Sequence, residues 1–169
     1  NSTPTVSVSG TNTICNGQNT TLTASGASTY VWTPAGGLST ASNINPAVAN
    51  PTVSTDYTVT GTDASSCSNT TTYSVTVNST PTVSVSGTNT ICNGQSTTLT
   101  AGGASTYVWS PIGSLTTASN INPAITTALT ASENYTVTGT DASSCSNTTT
   151  YSVTVNPMPI ANAGFNVSM

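Results

Sequence analysis

The amino-acid sequence predicts an all-β chain built as tandem antiparallel β-sandwich domains. Three observations carry that prediction. Apolar residues alternate with Thr and Ser over short segments, as in Val6 and Val8 or Leu22 and Ala24, the period of a strand with one buried face. Val, Thr and Tyr, which favour strands, are abundant, and strong helix formers are scarce. The chain also repeats itself. Residues 2–18 read STPTVSVSGTNTICNGQ and recur unchanged at 79–95, and YTVTGTDASSCSNTTTYSVTVN at 57–78 recurs at 135–156.

The period is 77 residues through Pro46 and Pro123, and 78 from Tyr57 and Tyr135 onward. The inserted residue and most differences lie in 48–56 against 125–134. A period this long indicates a string of domains, not a short-period solenoid. The domains expected are 1–78, 79–156 and the first strand of a third, truncated repeat at 157–169, where Pro159 aligns with Pro81 and Ala161 with Val83. A chain that starts without an initiator Met and opens a third unit at its end reads as a segment of a longer array.

Within the first repeat the strands follow in order. Val6 and Val8 mark the first, and the Asn16-Gly17 turn signal follows it. Leu22 and Ala24 mark the second, at 19–25, and Tyr30 and Trp32 the third, near 29–33. Leu38, Ile44 and Val48 fall in a less regular stretch expected to hold one or two short strands. Tyr57 and Val59 mark 56–62, and Tyr73, Val75 and Val77 mark 70–77, with Asp63 to Asn69 as the loop between them. Six or seven short strands at this spacing fit a sandwich. Outward positions are largely Thr, which suits a pleated surface without charge.

The charge balance excludes whole classes of function. There is no Lys, Arg or His, only four acids, and the formal net charge is −4. Phosphate clamps and counterion-releasing patches need cations, so no nucleic-acid partner is expected. The missing imidazole and amine remove the usual general base and Schiff-base nucleophile, so no enzyme and no cofactor are expected. No apolar run approaches the ~20 residues of a membrane-spanning helix, so direct membrane insertion is not expected either.

Each repeat carries two cysteines, Cys15 and Cys67, then Cys92 and Cys145. An even count in small β domains reads as disulfides in an oxidising compartment. With no His and no Cys-x-x-Cys pair, a zinc site within one repeat is not expected. Pairing within repeats, Cys15–Cys67 and Cys92–Cys145, is the simplest connectivity, and spacing alone does not decide it. Asp63 and Asp141 occupy equivalent loops, where one carboxylate suits a turn cap better than a Ca²⁺ site, which needs 6–8 oxygens. They are the only weak Ca²⁺ candidates, and no metal is expected. Asp56 and Glu133 fall in the variable stretch as solvated charges. Trp32 and Trp109 read as core residues together with Tyr57 and Tyr135, and a sugar-stacking platform is the alternative for the tryptophans. Tyr73 and Tyr151 alternate in phase with Val and face inward.

The pattern TICNGQ-TTLTASG-YVW-P, followed by YTVTGTDASSC and YSVTVN, resembles the immunoglobulin-like and PKD-like repeats of large bacterial surface proteins. It is particularly similar to repeats of cell-surface adhesins of gliding Bacteroidota exported by type IX secretion. The resemblance covers residues 2–156. It implies an extracellular location at the cell surface and a non-catalytic stalk or filament segment. The implied partners are neighbouring repeats or identical chains. A carbohydrate-binding module using exposed aromatics, with surface glycans as partner, is the alternative.

The immunoglobulin-like topology also bears on the cysteines. It places Cys15, in the turn before the second strand, and Cys67, between the last two strands, at opposite ends of one sandwich. A strand spans about 20–25 Å, whereas bridged Cα atoms lie within about 7 Å. Head-to-tail packing would instead join Cys15 to Cys145, with Cys67 and Cys92 bridging to neighbouring repeats.

Overall fold

The structure, a computed structural model, describes residues 2–160. Two compact units divide between Thr80 and Pro81. Each is an immunoglobulin-like β-sandwich. Of the strand expected at 157–169, residues 157–160 form no regular element, and the remainder lies outside the described residues.

Unit 1 holds seven strands: β1 (Ser7–Ser9), β2 (Thr13–Cys15), β3 (Thr20–Ser25), β4 (Thr29–Thr33), β5 (Ala47–Ala49), β6 (Thr55–Thr62) and β7 (Ser68–Asn78). They form a three-stranded sheet, β1-β3-β5, and a four-stranded sheet, β2-β7-β6-β4. Period-2 patterning explains the layers. Thr20, Leu22 and Ala24 of β3 are buried and alternate with exposed residues. Tyr57 and Val59 of β6 are buried and alternate with the half-buried Thr58 and Thr60. These side chains meet Trp32, Val75 and Ile14 in one core, with Tyr30, Leu38 and Tyr73 packed against it. Gly61 sits on β6 where Val6, just ahead of β1, passes closely. A Cβ there would lie 2.6 Å from Val6 Cγ2 and 2.8 Å from Ala27 Cβ, so a side chain would push the sheets apart.

Two details differ from the sequence-based expectation. Cys15 does not sit in a turn but ends a strand of its own, β2, which runs parallel to β7 through Thr13↔Thr76, Ile14↔Val77 and Cys15↔Asn78. The first strand segment thus changes sheets, pairing antiparallel with β3 before β2 joins the other layer. Val48 is also out of phase. Opposed residues share a face of the sheet, and the register Leu22↔Ala47 and Thr20↔Ala49 turns the two alanines inward and Val48 outward. Ile44 is exposed. Only β5 forms in that stretch, with an isolated bridge at Leu38↔Ala49.

Unit 2 repeats this plan with β8 (Ser84–Gly87), β9 (Thr90–Cys92), β10 (Thr98–Gly102), β11 (Thr106–Ser110), β12 (Ala124–Ile125), β13 (Glu133–Thr140) and β14 (Ser146–Asn156). A short 3-10 turn covers Ile112–Ser114. The sheets are β12-β10-β8 and β11-β13-β14-β9, and β9 is again parallel to β14. The variable stretch builds a different wall. Thr126 is fully buried. Its hydroxyl accepts from the Thr97 N–H at 2.9 Å and donates to the Thr127 carbonyl at 3.0 Å. Leu129 adds to the core and bridges Gln95.

In both units one side-chain amide continues the ladder where the strand ends. The β3/β5 register would next oppose Ala24 to Asn45, but Pro46 follows at once and the backbone departs. The Asn45 side chain takes its place. Its Oδ1 accepts from the Ala24 N–H at 2.9 Å and its Nδ2 donates to the Ala24 carbonyl at 2.9 Å. Asn122 does the same for Ala101 at 2.9 and 3.0 Å.

Candidate functional site: the cysteine frames

The cysteines lie in two kinds of backbone frame, each present once per unit. The first is a strand end. β2 closes on Cys15, and the chain turns through Gly17, which has φ 87°. The Gln18 N–H donates to the Cys15 carbonyl at 2.9 Å and Asn16 N–H to the Asn78 carbonyl at 2.8 Å. The Gln18 Oε1 accepts from the Cys15 N–H at 3.4 Å. Cys92 repeats every contact, with Gln95 N–H at 3.1 Å, Asn93 N–H to the Asn156 carbonyl at 2.9 Å, and Gln95 Oε1 at 3.3 Å.

The second frame is a carboxylate-capped turn between the last two strands. Asp63 Oδ1 accepts from the N–H groups of Ser65 at 2.8 Å and Cys67 at 2.9 Å. The Asp63 N–H donates to the Cys67 carbonyl at 2.9 Å, and Ser66 takes the left-handed conformation at φ 62°. Asp141 holds Cys145 through the same bonds, at 2.8 and 2.9 Å to Ser143 and Cys145, with Ser144 at φ 63°. An Asp capping its own turn is what the GTDASSC motif encodes.

The frames match, but the sulfurs differ in state. Cys15 and Cys145 are disulfide-bonded, whereas Cys67 and Cys92 carry free thiols, half-buried and exposed respectively. The within-repeat pairs Cys15–Cys67 and Cys92–Cys145 would each need one of those thiols, so neither is formed.

The remaining candidates are placed as follows. One oxygen of Asp63 and of Asp141 is engaged by backbone donors, and no group of three or more His, Cys, Asp or Glu residues gathers among the described residues. Asp56 is exposed on β6 and Glu133 half-buried at the start of β13. Trp32 and Trp109 are 0% and 1% exposed, so neither ring presents a face to a sugar. The sugar platform is thereby removed. Tyr30, Tyr73, Tyr107 and Tyr151 are half-buried. The Tyr73 and Tyr151 hydroxyls donate to the Gly10 and Gly87 carbonyls, each at 2.6 Å. A shallow cleft of about 810 Å³ in unit 2 is lined by residues such as Thr88, Thr90, Gln95 and Thr97, with no acid, cysteine or aromatic side chain.

Tyr57 and Tyr135 are both fully buried, and burial pushes both phenols above their ordinary value. At Tyr135 the nearby Glu133 charge adds to the rise and a hydrogen bond opposes it. That bond runs from the Tyr135 hydroxyl to the Ser114 carbonyl at 3.2 Å. The Tyr57 hydroxyl has no protein partner. A buried polar group left unpaired costs free energy, whereas a paired one contributes about 0.5–1.5 kcal/mol. Tyr57→Phe is therefore expected to leave stability unchanged or raise it, and Tyr135→Phe to lower it by about 0.5–1.5 kcal/mol. Urea unfolding of the two single variants measures this, and a larger loss at Tyr57 than at Tyr135 would contradict it.

Sequence reasoning missed Asn45 and Asn122. The available signal was the recurrence of Asn-Ile-Asn-Pro at 43–46 and 120–123 inside an otherwise irregular stretch.

No family model and no curated protein matches the sequence. Solved structures do match in fold. The C-terminal 282-residue fragment of intimin, in complex with the intimin-binding domain of the translocated intimin receptor, is 15% identical with a TM-score of 0.52, covering 92% of this chain and 65% of that one. A Ca²⁺-stabilized adhesin of an Antarctic bacterium, described as binding ice, is 18% identical with a TM-score of 0.46, covering 95% and 51%. The insect immune protein hemolin is 15% identical with a TM-score of 0.44, covering 92% and 47%. This chain thus spans about half to two thirds of the length of those structures. At 15% identity the likeness to the intimin fragment shows the sandwich fold alone.

Proposed function

We propose that this chain is a non-catalytic structural segment of a secreted cell-surface adhesin. In this reading each sandwich is one repeat of an extracellular stalk or filament. A disulfide between Cys15 and Cys145 joins successive repeats, and Cys67 and Cys92 bridge to the repeats before and after. The observation that carries the reading is the oxidation state of the cysteines. One strand-end sulfur, Cys15, and one turn sulfur, Cys145, are each in a disulfide, and their counterparts Cys92 and Cys67 are free. Two features support it further. Near-identical adjacent repeats suit selection for length and spacing. The fold is shared with an intimin fragment solved in complex with a domain of its receptor. The resemblance of the repeat motifs to gliding-type adhesins of Bacteroidota suggests export by the type IX route.

Digestion without reduction tests the cross-link. Trypsin has no site, because the chain lacks Lys and Arg, so chymotrypsin is the suitable protease. Mass mapping is expected to recover one linked peptide carrying Cys15 and Cys145. A peptide linking Cys15 to Cys67 would overturn the reading.

A further inference from the structure

We infer that Cys92 of one copy of this chain and Cys67 of another are complementary coupling ends, joining copies head to tail into an open covalent chain. The inference rests on the cross-linked array proposed above and names a partner for its two unbonded sulfurs: a second copy of the same molecule. Cys92 occupies the same strand-end frame as Cys15, with the same three hydrogen bonds around it and an added pairing of the turn with Leu129. Cys67 occupies the same Asp-capped turn as Cys145, with equal distances of 2.9 Å from the cysteine N–H to the carboxylate. Neither frame depends on its disulfide, because each holds its shape around a free thiol in one unit and a bonded sulfur in the other. The free members are accessible, Cys92 exposed and Cys67 half-buried. In each frame, therefore, one member demonstrates the bonded state and the other is vacant for the same bond.

Polarity follows from the pairing. In the array proposed above a strand-end cysteine takes a turn cysteine from the next repeat, so Cys92 of a leading copy would take Cys67 of a following copy. Each copy then keeps one unused end of each kind. Such a heterologous contact propagates instead of closing as a symmetric dimer. The chemistry needs a small-molecule disulfide as oxidant. The Cys92 thiol loses its proton to solvent, and the thiolate attacks that disulfide, forming a mixed disulfide and releasing one small thiolate. The Cys67 thiolate of the second copy, also deprotonated by solvent, then attacks the Cys92 sulfur and releases the other. Two protein thiols and one small disulfide become one interchain disulfide and two small thiols. No lysine or arginine steers the two ends together, and each copy carries a net charge of −4, with Asp63 beside Cys67, so coupling should be faster at higher salt, where that repulsion is screened.

The test uses the whole chain, concentrated in a redox buffer of reduced and oxidised glutathione, with non-reducing electrophoresis as readout. The wild type is expected to give a ladder of covalent multimers that collapses on reduction. The single variants Cys67→Ser and Cys92→Ser are each expected to stay monomeric, and an equal mixture of the two to give a dimer and nothing larger. Mass mapping of that dimer should show Cys92 joined to Cys67. Dimers formed by either variant alone would overturn the inference, because they require like ends to pair. A wild type that remains monomeric would also overturn it, whether its thiols persist or have closed on each other within one chain. If Cys15–Cys145 is recovered while no ladder forms, the array reading stands and only the coupling fails. If Cys15–Cys145 is absent, the array reading fails first.

Discussion

Trp32→Ala is expected to lower the stability of unit 1 by about 3–5 kcal/mol, and Trp109→Ala to do the same in unit 2. Trp32 is 0% exposed and shares one core with Leu22, Tyr57, Val59 and Val75. It lies on β4, an edge strand of the four-stranded sheet, so the small neighbours Ala47 and Ala49 of the facing sheet leave little that could collapse into the void. Removing a ring of that size loses its transfer free energy and adds the cavity term. Guanidinium unfolding of the full chain measures the loss as a lower midpoint for one transition. A change below about 1 kcal/mol would mean that the ring is not a core element. The same variant checks the glycan alternative: a folded Trp32→Ala that lost sugar binding would revive it.

The second large effect is expected at Asn45, where replacement by Ala should cost about 2–6 kcal/mol. Ala24 is 4% exposed, and its N–H and carbonyl are both met by the Asn45 amide. Truncation leaves a buried donor and a buried acceptor unpaired, and each such group costs about 1–3 kcal/mol. Asn45→Asp should not rescue it, because a carboxylate can accept from the Ala24 N–H but has nothing to donate to the carbonyl. Asn122 provides an internal replicate in unit 2. Denaturant midpoints for the Ala and Asp variants at both positions decide this. Full stability of Asn45→Asp would show that the donated bond contributes nothing.

These positions show which parts of the molecule are legible in a sequence. The strands of β3, β4, β6 and β7 are visible because each is long enough to display the period-2 alternation, and their ends fall within a residue or two of the expected positions. β2 is invisible because three residues cannot display a period, and its partner β7 lies far along the chain. The phase of β5 depends on a register with β3 that local patterning does not contain. Asn45 looks like a loop residue because its role exists only once Ala24 is opposite it. Among the site residues, the Asp63 and Asp141 turns were legible as local chemistry. The difference in oxidation state between matching cysteines was not, since identical local sequences end in different bonds.

The parallel pair β2 and β7 has a mechanical consequence. Once its disulfide is reduced, tension carried along the backbone enters unit 1 ahead of β2 and leaves it beyond β7. Those strands run side by side in the same direction, tied at one end by the Thr76 N–H to the Asn12 carbonyl at 2.7 Å and at the other by the Asn16 N–H to the Asn78 carbonyl at 2.8 Å. Pulling draws β2 toward its start and β7 toward its end, so the bonds between them are loaded in shear and must break together. An antiparallel hairpin pulled at its open end would peel one bond at a time. Unit 2 has the same clamp at β9 and β14.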